Sequence, residues 1–362
     1  MKRKKIYLLV MSTFVFWGCN NPIILSKTNT QTTTESYESN VLDFIASTQV
    51  NFKNGVQQNH VGLTIEGYSN LLSDNLEKRT GRTIVDNETI IEQKQLTEIF
   101  SNIYSNIDIP ELLHPSDEDI EKINLDYPLL SKQEIIENLP IISLIYQSEI
   151  SSLAINDIIQ LSNLDDLSSS QRNIYDKTYD IFDEKITLGE VAACLKHPFS
   201  AITLMKQKDI AFNLTKQYMK YHDHTDDKSD AFRHAIWNIV MAKEGWGLKN
   251  EKIAWANDFA TAHEAGEKYY GLASEMDLHN NRVGLNYYKS VATKTYSKIL
   301  WWNIETGVKE PGYDVACKYI KQKTENAILV NKNNFTLENG RTRINTIDSN
   351  SLVYIIPDNN SY

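Results

Sequence analysis

Apolar residues recur at helical spacing along most of this chain, and that period constrains the fold more than any other feature. The stretches QLTEIFSNIYSNI (Gln95 to Ile107) and SKQEIIENLPIISLIYQSEI (Ser131 to Ile150) are examples from the first half. Apolar residues three and four positions apart form one face of an α-helix, and that face is buried against other elements. Prolines and polar turns interrupt the pattern. The sequence therefore predicts a mainly α-helical protein built from short helices.

The polar stretch from Leu161 to Asn173 lacks this period and is the predicted boundary between two parts. The first part, residues 41–170, is predicted to be a helical region, and none of its residues cluster chemically. The second part, residues 174–362, is predicted to be a helical domain. Within it Pro198 is expected to end one helix and allow another to begin.

The end of the second domain changes character. From Phe335 to Pro357 apolar residues alternate with polar ones, and Asn339-Gly340 is a turn signal. This pattern predicts a small C-terminal β-hairpin or sheet packed on the helices.

The first 18 residues are predicted to be a lipoprotein-type signal peptide. Four basic residues precede an apolar run of about a dozen residues from Ile6 to Trp17, too short to span a bilayer as a helix. Gly18 before Cys19 resembles the lipobox of bacterial lipoproteins, which implies that Cys19 is lipidated and anchors the chain to a membrane of the cell envelope. The alternative is an ordinary secretory signal cut nearby. Residues 19–40 are rich in Ser, Thr, Asn and Gln, as in a flexible tether.

Cysteine content and charge exclude two classes of protein. Cys194 and Cys317 are the cysteines that remain for the folded part, so a disulfide-stapled mini-fold is excluded. Loss of the four basic residues of the signal lowers the formal net charge from −10 to −14. An acidic surface repels phosphate backbones, which argues against a nucleic-acid-binding protein.

Three short strings in the second domain concentrate residues with acid, base or metal-ligand chemistry. Three of the eight histidines of the chain fall inside them, each within four residues of a carboxylate or carboxamide. Imidazole and carboxylate groups together bind metals or transfer protons near neutral pH. The strings are DAFRHAIWN (Asp230 to Asn238), AHEAGE (Ala262 to Glu267) and MDLHNNRVG (Met276 to Gly284). They predict one polar site assembled from three segments.

The first string is predicted to lie on a helix that begins at Ser229 and Asp230 and ends at Gly245. Asp230 and His234 are four residues apart and therefore share one face. The carboxylate either orients the imidazole, or both groups point at one ion. The alternative is that Asp230 only caps the helix and His234 is a core histidine with satisfied hydrogen bonds.

The second string is predicted to end a helix on which Trp255, Phe259 and His263 are spaced by four. His263 then lies on the apolar stripe, and Glu264 projects about 100° away from it. The H-E-x-x-H motif of zinc metalloproteases is absent, because the fourth residue after His263 is Glu267.

The third string is compatible with two conformations. In a helix Asp277 and His279 point to opposite sides, whereas in an extended turn they point together. A helix that begins near Asp277 places Asn280, Asn281 and Gly284 on one face. The alternative is a structured loop.

Together the strings resemble a bacterial domain family of unknown function, found in secreted, lipoprotein and toxin-like proteins. Its hallmarks are a D-A-x-R-H-x-x-W helix, a later H-E, and M-D-x-H-N-N-x-x-G. The resemblance covers about the second half of the chain, from near Leu188 onward. It implies a mostly helical domain with a shared polar centre, and it brings no established activity. The matching residues are Asp230, Ala231, Arg233, His234, Trp237, His263, Glu264, Met276, Asp277, His279, Asn280, Asn281 and Gly284.

The favoured hypothesis is a metal-dependent or histidine-dependent hydrolase at the cell surface. In the metal-dependent version Glu264 is the candidate general base. In the version without a metal, Asp230 orients His234 as the base, and Arg233 and Asn281 stabilise developing negative charge. A divalent ion such as zinc would lower the pKa of a bound water. Ester, phosphodiester and amide substrates are all compatible with it. The candidate metal ligands are His234, His263, Asp277 and His279, and the candidate catalytic residues are Asp230, Arg233, His234, Glu264 and Asn281.

The rival hypothesis is a binding or structural module of the cell envelope. In it the same residues form a buried hydrogen-bond network that holds three helices in register. A third interpretation is that the protein is a toxin or the antitoxin-like partner of one.

Overall fold

The computed structural model describes residues 41, 43–48, 50–52, 60–162, 185–219, 226–265, 271–299, 302–330, 344 and 347–355. The chain divides into two compact units, residues 1–46 and residues 47–362. In the first unit the described residues, 41 and 43–46, are helical. All the labelled helices and strands belong to the second unit.

The predicted helical character of the first half is confirmed, since five helices lie between residues 60 and 162. They are α1 (Ile65–Thr80), α2 (Gln93–Asn106), α3 (Asp117–Asp126), α4 (Lys132–Glu137) and α5 (Leu139–Leu161), with strand β1 (Thr89–Glu92) before α2. Ser116 and Ser131 begin α3 and α4, and each forms a capping box with the acidic residue three positions later. The helix α2 packs against α5, whose apolar residues are largely buried.

The second half is also helical, as predicted. Its described helices are α6 (Leu188–Lys196), α7 (Pro198–Ala201), α8 (Leu204–Tyr218), α9 (Lys228–Glu244), α10 (Lys249–Ala265), α11 (Leu272–Val291) and α12 (Tyr313–Glu325). The break expected at Pro198 is confirmed, because α6 ends two residues before it and α7 begins on it. Proline has no N–H to donate and is tolerated in the first turn of a helix.

The helix α9 is at the centre of the second half. It packs against α8, α10, α11 and α12. Every residue from Ser229 to Ala242 is buried, including the polar ones. A helix without a solvent face must satisfy its polar side chains inside the protein. The packing of α9 therefore brings its polar residues against those of its neighbours.

Three small sheets accompany the helices in the described residues. Strand β1 pairs in antiparallel fashion with β2 (Lys185–Thr187), and α1 packs against α6, so elements of both halves are in contact within the second unit. Strands β3 (Thr293–Ile299) and β4 (Trp302–Lys309) form an antiparallel hairpin. Strands β5 (Ile328–Val330) and β6 (Val353–Ile355) pair in parallel.

The strand prediction for the end of the chain is confirmed in its coarse form. Within the segment from Phe335 to Pro357, β6 is a strand, and it packs against α9 and α11. Its partner β5 lies outside that segment, and the turn predicted at Asn339-Gly340 lies outside the described residues. The hairpin of β3 and β4 was not anticipated from the sequence.

Several predictions fall on other parts of the chain. The signal peptide at residues 1–18, Cys19 and the tether up to residue 40 lie outside the described residues, as does the proposed boundary from residue 163 to residue 173. Among the helices that the structure describes, none combines the length and the apolar character that a bilayer crossing requires.

Candidate functional site

The helix α9 supplies Asp230, Arg233 and His234. It begins at Lys228, one residue before the predicted Ser229, because Asp227 is the N-cap and its carboxylate accepts the backbone N–H of Asp230. Asp230 is the third residue of the helix, so the alternative that it is the helix cap is wrong. Its carboxylate accepts the backbone N–H of Asp226 at 2.6 Å through Oδ2, which leaves Oδ1 facing the side chains of α9.

The helix α11 supplies Asp277 and Asn281 to the same place. It begins at Leu272, so the third string is helical throughout, and the structured-loop alternative is wrong. Asp277, Asn281 and Gly284 recur at intervals of four and three, which puts them on the face that meets α9. A Cβ atom at Gly284 would lie 2.0 Å from the carbonyl oxygen of Ala235. Glycine at this position lets the two helices approach closely.

The helix α10 contributes Glu264. Its carboxylate is 1% exposed and accepts a hydrogen bond from Asn281 Nδ2 at 3.1 Å. Its Oε1 atom also lies 3.5 Å from His234 Nδ1. Three helices thus meet around one imidazole, as the three strings predicted.

His234 is the centre of this cluster. Its Nε2 atom lies 3.3 Å from Asp230 Oδ1 and 3.1 Å from Asp277 Oδ1. Its Nδ1 atom faces Glu264 on the other side. The His234 and Asp230 side chains are each 3% exposed and that of Asp277 is 10% exposed, so Asp277 lies closest to solvent.

The arrangement fits a divalent cation. Among the described residues, one set of possible metal ligands gathers with all its atoms within 4.8 Å of one another, and it consists of Asp230, His234 and Asp277. Ligand atoms about 2.1 Å from a shared ion lie about 3.0–3.4 Å apart in octahedral or tetrahedral geometry. The separations at His234 Nε2 match that spacing.

The charges around His234 also favour a cation. Asp230, Asp277 and Glu264 are three carboxylates, and Arg233 is the described cation in contact with them, through Nη2 and Asp230 Oδ1 at 2.5 Å. Burial raises the pKa of the Asp230 carboxyl, but Arg233, His234 and the Asp226 N–H outweigh it, so this pKa lies below its ordinary value. Asp230 is therefore ionised at neutral pH. With neutral imidazole and all three carboxylates ionised, these groups and Arg233 carry a net charge of about −2, which a divalent ion would balance.

His263 does not belong to this cluster, in contrast to its predicted role as a metal ligand. Its Nδ1–H donates to Glu190 Oε1 at 2.7 Å, and its ring packs edge-on against Trp237. Burial raises the pKa of Glu190, but the bonds from His263 and Thr187 outweigh this and hold it below its ordinary value. His263 points away because it lies about 100° around α10 from Glu264.

His279 is also directed elsewhere. Its Nε2–H donates to the backbone carbonyl of Ser351 at 2.7 Å. Burial lowers the pKa of His279 and outweighs the Ser351 carbonyl, which raises it. The net effect favours a neutral ring. The neighbouring Asn280 forms two hydrogen bonds with the backbone of Val353. This face of α11 holds strand β6, so the expected ligand role of His279 does not agree with its position.

Sequence reasoning missed the role of Glu190. Its second oxygen, Oε2, accepts both the N–H and the hydroxyl of Thr187, as in a capping box at the start of α6. The signal was present as threonine followed three residues later by glutamate. A capping pattern does not reveal that the other carboxylate oxygen binds a histidine from a distant helix.

Several buried polar atoms of the site make no hydrogen bond within the described part of the chain. They are Ser229 Oγ, Arg233 Nε, His234 Nδ1, Asn238 Nδ2 and Asn281 Oδ1. Buried polar groups in native proteins are nearly always paired, so each of these atoms indicates a bound ion, ligand or water beside it.

Comparison with known proteins adds a domain but no activity. A family model described as a domain of unknown function, DUF6973, matches residues 191–310. The matched segment contains all three strings and agrees with the prediction of such a domain in the second half of the chain. No curated protein matches the chain.

Proposed function

We propose that this chain is a lipoprotein of the bacterial cell envelope whose helical domain binds a divalent cation and uses it to hydrolyse a substrate. The observation that carries the proposal is the position of His234 Nε2, 3.3 Å from Asp230 Oδ1 and 3.1 Å from Asp277 Oδ1. Two carboxylates and one imidazole at this spacing leave coordination positions open for water or substrate.

Each residue of the cluster has a distinct part in the proposal. Asp230 and Asp277 bind the ion through Oδ1, and His234 binds it through Nε2. Glu264 Oε1 lies 3.5 Å from Nδ1 of His234 and would accept its proton and orient the ring once an ion is bound, as carboxylates beside metal-bound histidines commonly do. Asn281 holds Glu264 through its amide. This gives Glu264 a positioning part in place of the general-base role expected from the sequence.

A divalent ion held in this way would lower the pKa of a bound water towards neutrality and polarise a substrate oxygen. Arg233 is placed to stabilise negative charge that develops beside Asp230. Zinc suits a set of one nitrogen and two oxygen ligands, and manganese also accepts such a set.

A second candidate is a structural network without a metal. The burial of the cluster and the contact between Arg233 and Asp230 favour it, since a protonated His234 would itself bridge the three carboxylates. The two candidates differ in what removal of a carboxylate does. If the cluster is only structural, removal of a carboxylate lowers stability alone. If the cluster holds an ion, the same change also abolishes metal binding.

The test is metal content. The full-length protein, purified in detergent and dialysed against zinc or manganese, is expected to retain about one ion per chain by elemental analysis. The isosteric variant Asp277→Asn is expected to lose the ion, and the exposed Asp117→Asn on α3 serves as its matched control. Equal metal content in Asp277→Asn and wild type, or none in either, refutes the metal-dependent proposal.

The envelope location has its own test. Lipid on Cys19 predicts that the mature protein partitions into the detergent phase of Triton X-114 and that Cys19→Ser stays in the aqueous phase. If both proteins stay in the aqueous phase, the chain is not anchored by lipid.

A further inference from the structure

The N-terminal end of α9 carries two buried polar atoms, one on Ser229 and one on Arg233, that lack a described partner. Ser229 is 4% exposed and Arg233 is 6% exposed. Ser229 Oγ and Arg233 Nε make no hydrogen bond to any described residue. The two residues are four apart, so they lie on one face of the first turns of the helix.

Both groups donate hydrogen bonds, and their position favours an anion. The helix α9 has 17 residues, and its aligned peptide dipoles give the N-terminal end a partial positive charge, part of which the capping carboxylate of Asp227 already balances. Guanidinium Nε–H and Nη–H groups form a rigid fork that matches the oxygens of phosphate or carboxylate. A buried Nε–H without an acceptor is costly, which a bound oxyanion would relieve.

This end of α9 adjoins the proposed cation site. Arg233 Nη2 contacts Asp230 Oδ1 at 2.5 Å, and the same oxygen lies 3.3 Å from His234 Nε2. A ligand oxygen on the cation would therefore lie beside the guanidinium. One oxyanion can contact both the cation and the guanidinium if it presents several oxygens in different directions.

We propose that Ser229 and Arg233 form a subsite for a phosphoryl group, so that the substrates of this site are phosphate esters; this rests on the proposed function. A tetrahedral phosphoryl group offers oxygens to the cation, to the guanidinium and to the serine hydroxyl at once. A neutral carboxylic ester has no charge for Arg233 to bind. Hydrolysis adds water across the phosphorus–oxygen ester bond: hydroxyl joins phosphorus, and the proton goes to the leaving oxygen.

The charge balance makes this subsite dependent on the metal. Without a cation the three carboxylates and Arg233 leave a net charge of about −2, which repels phosphate. A divalent ion would balance the charge of these four groups and reduce that repulsion. Phosphate is therefore expected to bind the metal-loaded protein and not the protein treated with chelator.

The experiment measures binding of inorganic phosphate by titration calorimetry to the full-length protein, with zinc or manganese and with EDTA. Ser229→Ala is expected to weaken binding to the metal-loaded protein about tenfold, because it removes one hydrogen bond to a charged oxygen. Arg233→Lys keeps the charge but loses the fork, and it is expected to weaken binding further. Ser105→Ala, at an exposed serine of α2, is the control and should bind as wild type does.

The outcomes separate this inference from the proposal on which it rests. If the protein binds metal but not phosphate, or if Ser229→Ala binds phosphate as wild type does, the phosphoryl subsite is refuted and the cation site stands. If no metal binds, both fall. Turnover gives a second reading: hydrolysis of a nitrophenyl phosphate monoester or diester supports the inference, and hydrolysis of nitrophenyl acetate alone overturns it.

Discussion

The contact between α9 and α11 at Gly284 gives the sharpest prediction about how the site is held together. In Gly284→Ala the new Cβ would lie 2.0 Å from the carbonyl oxygen of Ala235 and 2.7 Å from its carbonyl carbon. Cβ atoms essentially never approach closer than 3.0 Å, so the two helices must separate locally by about 1 Å. The clashing atoms are backbone, which no rotamer change can move away.

The expected cost is about 3 kcal/mol, at the upper end for overpacked cores, and it corresponds to a fall in Tm of about 5–10 °C. Asp277 and Asn281 lie on the same face of α11, so the separation would also widen the spacing around His234. The assay is thermal unfolding followed by circular dichroism, together with metal content. We expect both the Tm and the bound metal to decrease.

The matched control is Gly189→Ala in α6. There the added Cβ meets Asp86 O at 3.5 Å, an ordinary contact. Alanine favours a helix over glycine by up to about 1 kcal/mol, so this variant should be as stable as wild type or slightly more stable. An unchanged Tm in Gly284→Ala would show that α9 and α11 are not in close contact, and the geometry of the site would have to be abandoned.

Two further predictions concern other buried polar groups. Asn280→Ala removes both hydrogen bonds to the backbone of Val353. It is expected to lower the free energy of unfolding by about 2–3 kcal/mol and to speed hydrogen exchange at the Val353 amide. Unchanged exchange would contradict the pairing. Burial and the charge of Asp126 raise the pKa of Glu149 from 4.5 to about 7. The folded protein therefore favours the protonated carboxyl, and the stability that this group contributes is full below pH 4.5 and is lost as the pH rises through 7. Glu149→Gln is therefore expected to reduce the fall in the free energy of unfolding between pH 5 and pH 8, measured by urea titration, by about 1 kcal/mol. An unaltered fall would refute this source of pH dependence.

The helices of the site were predictable because local rules act over a few residues. The spacing of Asp230 and His234 places both on one face of α9 whatever surrounds it, and Pro198 interrupts a helix by its own covalent geometry. The three strings were expected to form one polar site, and a residue from each of them lies close to His234. The start of α9 was misplaced, because Asp227 and Asp230 are both good capping residues and the sequence does not distinguish them.

The choice among neighbouring polar residues was not predictable in the same way. His263 and Glu264 are adjacent on α10, and Asp277 and His279 are close together on α11. A rotation of α10 by one residue would have put His263 at the centre and Glu264 outside. Contacts with distant residues decide this rotation, and for His263 the decisive partner is Glu190, 73 residues earlier in the chain.

The amino-acid sequence by itself determined that the chain is mainly helical, where its polar strings lie and which of their residues share a helix face, because helical periodicity and turn chemistry are local. The tertiary structure alone decided that Asp230, His234 and Asp277 come together while His263 and His279 bind Glu190 and Ser351. The orientation of each helix about its own axis depends on packing against partners far away in the chain, such as the contact of Gly284 with Ala235.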